Sequence, residues 1–180
     1  MILIVAGVAG CGKSTVGAML AGRLRWRFAD ADAFHSEANV AKMREGIPLT
    51  DEDRQPWLRA VIEWIDARIA EGQSAVITCS ALRRAYRDEL LHGRPAVTMV
   101  YLQVSRDILD RRLLARRGHF FPEKLLDSQL AVLEPPTPDE ERVITVLAEG
   151  DPAQTAAKII GTLWPYGDPD QGGAPVPGVL

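Results

Sequence analysis

The chain opens on an unbroken apolar run, ILIVA at residues 2–6, which predicts a short strand buried on both faces. The rhythm then changes. From Lys13 to Arg25 the apolar residues Val16, Met19, Leu20 and Leu24 recur at helical spacing. The two patterns go on alternating. WRFAD (26–30) predicts a second strand, and residues 35–45 a helix carrying His35, Asn39 and Lys42 along one face. A longer helix follows to about Glu71; it opens on a capping-box-like pair, Thr50 and Asp53, and stops at Gly72. SAVIT (74–78) predicts a third strand, residues 82–92 a basic helix, AVTMVYLQV (96–104) a fourth strand, and residues 106–116 another helix. RRGHFFP (116–122) breaks the pattern with Gly and Pro and predicts a loop. Residues 122–133 read as helix, LEPPTPDEE as a surface connection, and RVITVL (142–147) as a fifth strand. Asp151 and Pro152 suit the cap and first position of a last helix ending at Leu163.

Strands that are apolar throughout, alternating with helices, predict an α/β protein: a parallel sheet covered on both faces. Right-handed crossovers leave few topologies, and a ligand belongs at the carboxyl ends of the strands. The length of 180 residues suits one domain with a sizeable core. That domain is expected over residues 1–164. PYGDPDQGGAPVPGVL (165–180) is rich in Gly and Pro and predicts a flexible tail.

Composition narrows the function classes. Apolar residues make up 47% of the chain and charged residues 25%, an ordinary balance for a soluble protein. A net charge of −3 argues against a general binder of nucleic acid or membrane surfaces. The short apolar N-terminus lacks a basic stretch before it, so no secretory signal is expected. No apolar run approaches the ~20 residues that span a bilayer, and the expected location is cytoplasmic. Cys11 and Cys79 show no metal-ligand spacing and read as reduced thiols.

The chemistry begins directly after the first strand. GVAGCGKST (Gly7, Val8, Ala9, Gly10, Cys11, Gly12, Lys13, Ser14, Thr15) fits G-x-x-x-x-G-K-[ST] at every defined position. The glycines let backbone N–H groups face phosphate oxygens, and the helix that follows aims its positive end at them. Lys13 reaches the outer phosphates of a nucleoside triphosphate, and Ser14 offers a hydroxyl to Mg²⁺. The third and fourth strands end without the acid that switch and motor proteins place there, and there is no Asn-Lys-x-Asp for guanine. The acids stand instead in FADADAFH, after the second strand. Asp30 and Asp32 there can form a turn with their own backbone. Beside a phosphate loop they also suit two tasks in phosphoryl transfer. Asp30 is assigned to water-linked Mg²⁺, and Asp32 to the hydroxyl that receives the phosphate.

GVAGCGKST, DADAFH, NVAKMREGIPLTDEDRQPWL, CSALRRAYRDEL, VYLQV and RLLARRGHFF together resemble the gluconokinases, within the shikimate-kinase-like and nucleoside-monophosphate-kinase-like group. The resemblance runs from about Ile2 to Leu163. It implies a five-stranded parallel sheet of order 2-3-1-4-5 with helices on both faces, and a small lid at about 112–124. It implies ATP-dependent, Mg²⁺-assisted phosphorylation of D-gluconate at its 6-hydroxyl. Two departures stand out: Asp30-Ala31-Asp32 replaces Asp-Gly-Asp, and Arg83 and Arg84 stand where lysines are common. A carboxylate bearing a row of hydroxyls needs cations and mixed donors, for which His35, Arg54, Arg83 and His119 are of the right type. Trp57 and Trp64, at helical spacing, suit the core better than a ligand platform. Among the arginines before the lid, Arg116 is the first candidate to close on the transferring phosphate and Arg112 the second. Both are assigned to ATP. The family makes a homodimer compatible with this chain. Two alternatives stay open at this point: a kinase for another small polar acceptor such as shikimate, and a nucleotide-binding regulatory module without turnover.

Overall fold

The computed structural model describes residues 1–115 and 123–165. Five parallel strands form one sheet: β1 (Ile2–Ala6), β2 (Arg27–Asp30), β3 (Ala75–Cys79), β4 (Val97–Gln103) and β5 (Val143–Leu147). Their order is β2-β3-β1-β4-β5, as the family resemblance implies. Among the described residues seven α-helices connect or follow them: α1 (Lys13–Leu24), α2 (Glu37–Arg44), α3 (Asp51–Ala70), α4 (Arg84–Leu91), α5 (Arg106–Ala115), α6 (Glu123–Val132) and α7 (Pro152–Leu163).

The central strand shows why the opening run is apolar without interruption. All five residues of β1 are fully buried. Leu3 and Val5 point into a core shared with α1, α5 and α7, while Ile2, Ile4 and Ala6 point into a second core made with α3 and α4. Alternate side chains thus fill opposite faces, and each face is covered by helices. On the first face, Trp164 after α7 meets Trp26 after α1 edge to face, with centroids 5.9 Å apart.

Two expectations need correction, the start of the second strand and the start of the helix after it. β2 lies at the edge of the sheet, and Phe28 is 42% exposed. It begins at Arg27 because Arg25 ends α1 in a left-handed conformation (φ 54°) and Trp26 turns inward to pack. The helix predicted from residue 35 begins at Glu37, because Ser36 caps it by accepting from Asn39 N. His35 therefore precedes that helix and does not share its face. Asn39 and Lys42 face α3 instead: Asn39 donates to Asp53 O at 2.8 Å, and Lys42 pairs with the Asp53 carboxylate at 2.7 Å. Asp53 closes the predicted capping box with Thr50 at the start of α3, so one carboxylate both starts a helix and ties down its neighbour.

Candidate active site

The glycine loop lies at the carboxyl end of β1, between β3 and β4. Its first glycine is obligatory on two counts. Gly7 has φ +138°, and a Cβ there would fall 2.8 Å from Cys11 Sγ and 3.0 Å from Leu102 O. Gly12 caps α1 at φ +102°. The Lys13 ammonium lies back over the loop, donating to Val8 O at 3.1 Å. Cys11 and Cys79 are both free and buried, and burial pushes the Cys79 thiol up to about 12. Their place is structural.

The acid pair meets this loop. Ser14 Oγ donates to Asp30 Oδ2 at 2.9 Å, while Asp30 Oδ1 accepts from Asp32 N at 3.1 Å. The local turn and the approach to the loop are realised in the same carboxylate. Ser14 and Asp30 set two hard oxygen donors side by side at the start of α1. That set fits Mg²⁺, which takes few protein ligands and keeps water and phosphate oxygens for the rest. Ala31, where the resemblance implies glycine, is fully buried in a 3-10 turn (Ala31–Phe34). Outside glycine, positive φ occurs among the described residues only at Arg25 and Ala81. Alanine therefore meets no backbone penalty at this position.

A cavity of about 680 Å³ runs from the loop past Asp32 to a wall built by α3 and α4. Trp57 forms part of its floor. The ring is buried, its Nε1 donates to Ala31 O at 2.7 Å, and it stacks on His35 with centroids 4.7 Å apart and planes 8° from parallel. Trp57 is thus core and cavity lining together. Burial holds His35 below its ordinary pKa, Arg54 adds to this and Asp32 opposes it. Its buried Nδ1 has no hydrogen-bond partner among the described residues.

The far wall is a charged cluster. Asp51 accepts a short hydrogen bond from the Tyr86 hydroxyl and one from Arg83 at 2.6 Å, and Arg54 stands 3.8 Å away. The Tyr86 hydrogen bond, with Arg83 and Arg54, holds the Asp51 carboxyl below the usual range. Two guanidinium groups converge on the one Asp51 carboxylate here, and Glu52 lines the cavity beside them. Behind this wall Arg87 is fully buried and grips Glu140 with two hydrogen bonds of 2.7 and 2.8 Å. Its remaining nitrogen donates to Leu82 O at 3.3 Å and Glu134 O at 2.8 Å. This clamp holds the segment around Ala81, which adopts a left-handed φ of 41°, and so sets where Arg83 emerges.

A smaller cavity of about 240 Å³ opens on the other side of the loop, lined by Cys11, Gly12, Thr15, Ala148, Gly150 and Arg112 among others. Arg112 donates to Cys11 O at 3.1 Å and Ala148 O at 2.9 Å. It bridges the loop to the segment after β5, on the opposite side from Asp32.

The structure therefore brings Lys13, Ser14, Asp30, Asp32, His35, Arg54 and Arg83 around one cavity and its mouth, and puts Arg112 at the second. Arg116 and His119 lie outside the described residues. Sequence reasoning missed Asp51, Tyr86 and Gln129, which line the same cavity. Asp51 read there as a first-turn acid of α3; PLTDEDRQPWL carries the signal only once Arg83 is known to reach it.

A parallel sheet of this order, a glycine loop after its central strand and an acid-bearing turn after its edge strand define a P-loop small-molecule kinase. A family model described as an AAA domain matches residues 2–136. The chain is 46% identical to a gluconokinase from Gluconobacter oxydans (strain 621H), over 88% of each chain. A gluconokinase from Sinorhizobium meliloti 1021 superposes with a TM-score of 0.77 at 38% identity, covering 92% of this chain and 97% of that one. An unliganded sugar kinase from Janibacter sp. HTCC2649 superposes with a TM-score of 0.82 at 46% identity, covering 88% and 91%. The chain belongs to the gluconokinase family. It is a kinase that uses ATP.

Proposed function

We propose that this chain transfers the γ-phosphoryl group of ATP to the 6-hydroxyl of D-gluconate, giving 6-phosphogluconate and ADP. The observation that carries this reading is the single cavity joining Lys13 and Asp32 at one end to Arg54, Asp51 and Arg83 at the other. An acceptor with an acid at one end and a hydroxyl at the other fits that polarity. Arg54 and Arg83 hold the gluconate carboxylate, and Asp51, which contacts both, orients them. His35, whose pKa burial holds down, serves the hydroxyl chain. Asp32 accepts the hydrogen of the reacting hydroxyl as its oxygen bonds to the γ-phosphorus. The bond from that phosphorus to the bridging oxygen breaks, and its electron pair leaves on ADP. Lys13 and the amides of the Gly7–Thr15 loop, apart from the Ala9 N–H that is given to Gln129, hold the phosphates.

Ser14 and Asp30 would hold Mg²⁺, which neutralises developing charge on the phosphates when bound. Arg112 serves the nucleoside side of ATP. Arg116 and His119 are assigned through the resemblance to the transferring phosphate and the acceptor; they, and residues 116–122 of the lid expected over about 112–124, lie outside the described residues. The kinase domain is assigned to residues 1–164; the tail expected over residues 165–180 lies, from residue 166 on, outside the described residues. Among the described residues no helix is long and apolar enough to cross a membrane; the overall charge favours a cytoplasmic enzyme that binds neither nucleic acid nor membrane. A homodimer fits the family. The test is ADP release with a panel of acceptors. Release with gluconate, and not with shikimate or nucleoside monophosphates, supports the reading; release with none favours a regulatory module.

A further inference from the structure

The third residue of the phosphate loop is held from far along the chain. Ala9 N–H donates to Gln129 Oε1 at 2.7 Å. Gln129 lies on α6, which is tied to α5 by an ion pair between Arg106 and Asp127 at 2.7 Å. A backbone N–H can only donate, so Oε1 must be the atom against the loop, and Nε2 carries both amide protons away from it. The side chain lines the same cavity as Lys13 and Asp32. None of the loop motif's own positions accounts for this residue.

We propose that Gln129 extends the loop's row of donors into the acceptor cavity, and that its Nε2 hydrogen-bonds the phosphoryl group as it passes from ATP to the acceptor hydroxyl. The inference rests on the phosphoryl-transfer reading given above. Charge in that transfer spreads over three equatorial oxygens. Lys13 and the loop amides reach them from the nucleotide side. On the acceptor side Asp32 is a carboxylate and repels them. A carboxamide is the group suited to this place: it is neutral and does not compete with Asp32 for the hydroxyl proton. By accepting from Ala9 it is polarised into a better donor, and the bond fixes it before the reaction begins. Gln129 gains and loses no proton; the oxygen of the acceptor bonds to phosphorus, ADP leaves with the electron pair, and the proton goes to Asp32.

Gln129→Ala and Gln129→Glu separate this role from a structural one. Glutamate keeps an oxygen for Ala9 N–H but replaces the two donors with negative charge. Both variants are expected to lose about 10²-fold in kcat, the glutamate at least as much as the alanine. KM for ATP should stay within about threefold of the parent value, and Tm within about 2 °C. A glutamate variant that keeps its kcat overturns the donor role. So does a loss of kcat in both variants matched by weaker ATP binding and a lower Tm. The parent chain on gluconate is the separate control. If it prefers another acceptor, only the acceptor reading fails, and the same variants compared on that acceptor still decide Gln129.

Discussion

The two ends of the main cavity are built in opposite ways. The phosphate end is one continuous stretch, Gly7 to Thr15, whose working parts are backbone amides, one lysine and one hydroxyl. The acceptor end is made of side chains from separate elements: Asp32 and His35 around the turn after β2, Asp51 and Arg54 on α3, Arg83 and Tyr86 at the start of α4. The first depends on local backbone geometry, with glycines where a Cβ would collide. The second depends on the fold bringing distant residues together, and on the buried Arg87–Glu140 clamp that aims Arg83. In the proposed reaction one end holds the phosphate and the other selects what receives it.

The sharpest way to break the phosphate end is Lys13→Ala. Turnover measured by ADP release should fall by ~10³-fold or more, since the variant loses the cation on the transferring charge; an active variant would remove the loop from the chemistry. Asp32→Ala comes next. It should lower kcat by ~10²–10⁴-fold while leaving KM for ATP nearly unchanged, and steady-state kinetics with each substrate varied will show the split.

The acceptor end is tested through its support and then its contacts. Glu140→Ala leaves the buried Arg87 charge without its partner and should destabilise the fold by ~3–5 kcal/mol in denaturant titrations. The pH dependence has a definite sign. Hydrogen bonds from Arg87 depress the Glu140 carboxyl below its reference value of 4.5. Its contribution is therefore full above that value and is lost as pH falls through the lower folded value. Glu140→Gln should show less of that acid-side loss. The smallest expected effect is at the contact itself: Arg83→Ala should raise KM for gluconate by ~10-fold, with KM for ATP unchanged.

The same contrast explains what could be read in advance. The strands, the helices and the whole phosphate loop were legible because period and spacing are local properties. The capping box at Thr50 and Asp53 was legible for the same reason. β2 was legible as a strand, yet its edge position is set by topology, which its own residues do not encode. His35 looked like a helix residue because Ser36, its neighbour, was not read as a cap. Asp51 and Tyr86 were invisible as a pair, since only the packing of α3 against α4 makes them touch. Gln129 was invisible because one amide side chain on a helix carries no pattern; its meaning comes from where α6 lies against Ala9.

The central claim is that the side-chain wall of Arg54, Asp51 and Arg83 reads the acid of the acceptor while Asp32 serves its far hydroxyl. The most direct measurement compares gluconate with sorbitol, which keeps the hydroxyl chain and lacks the carboxylate, by kcat/KM for ADP release at saturating ATP. The account predicts a preference for gluconate of at least ~10²-fold. Equal turnover of the two would contradict it.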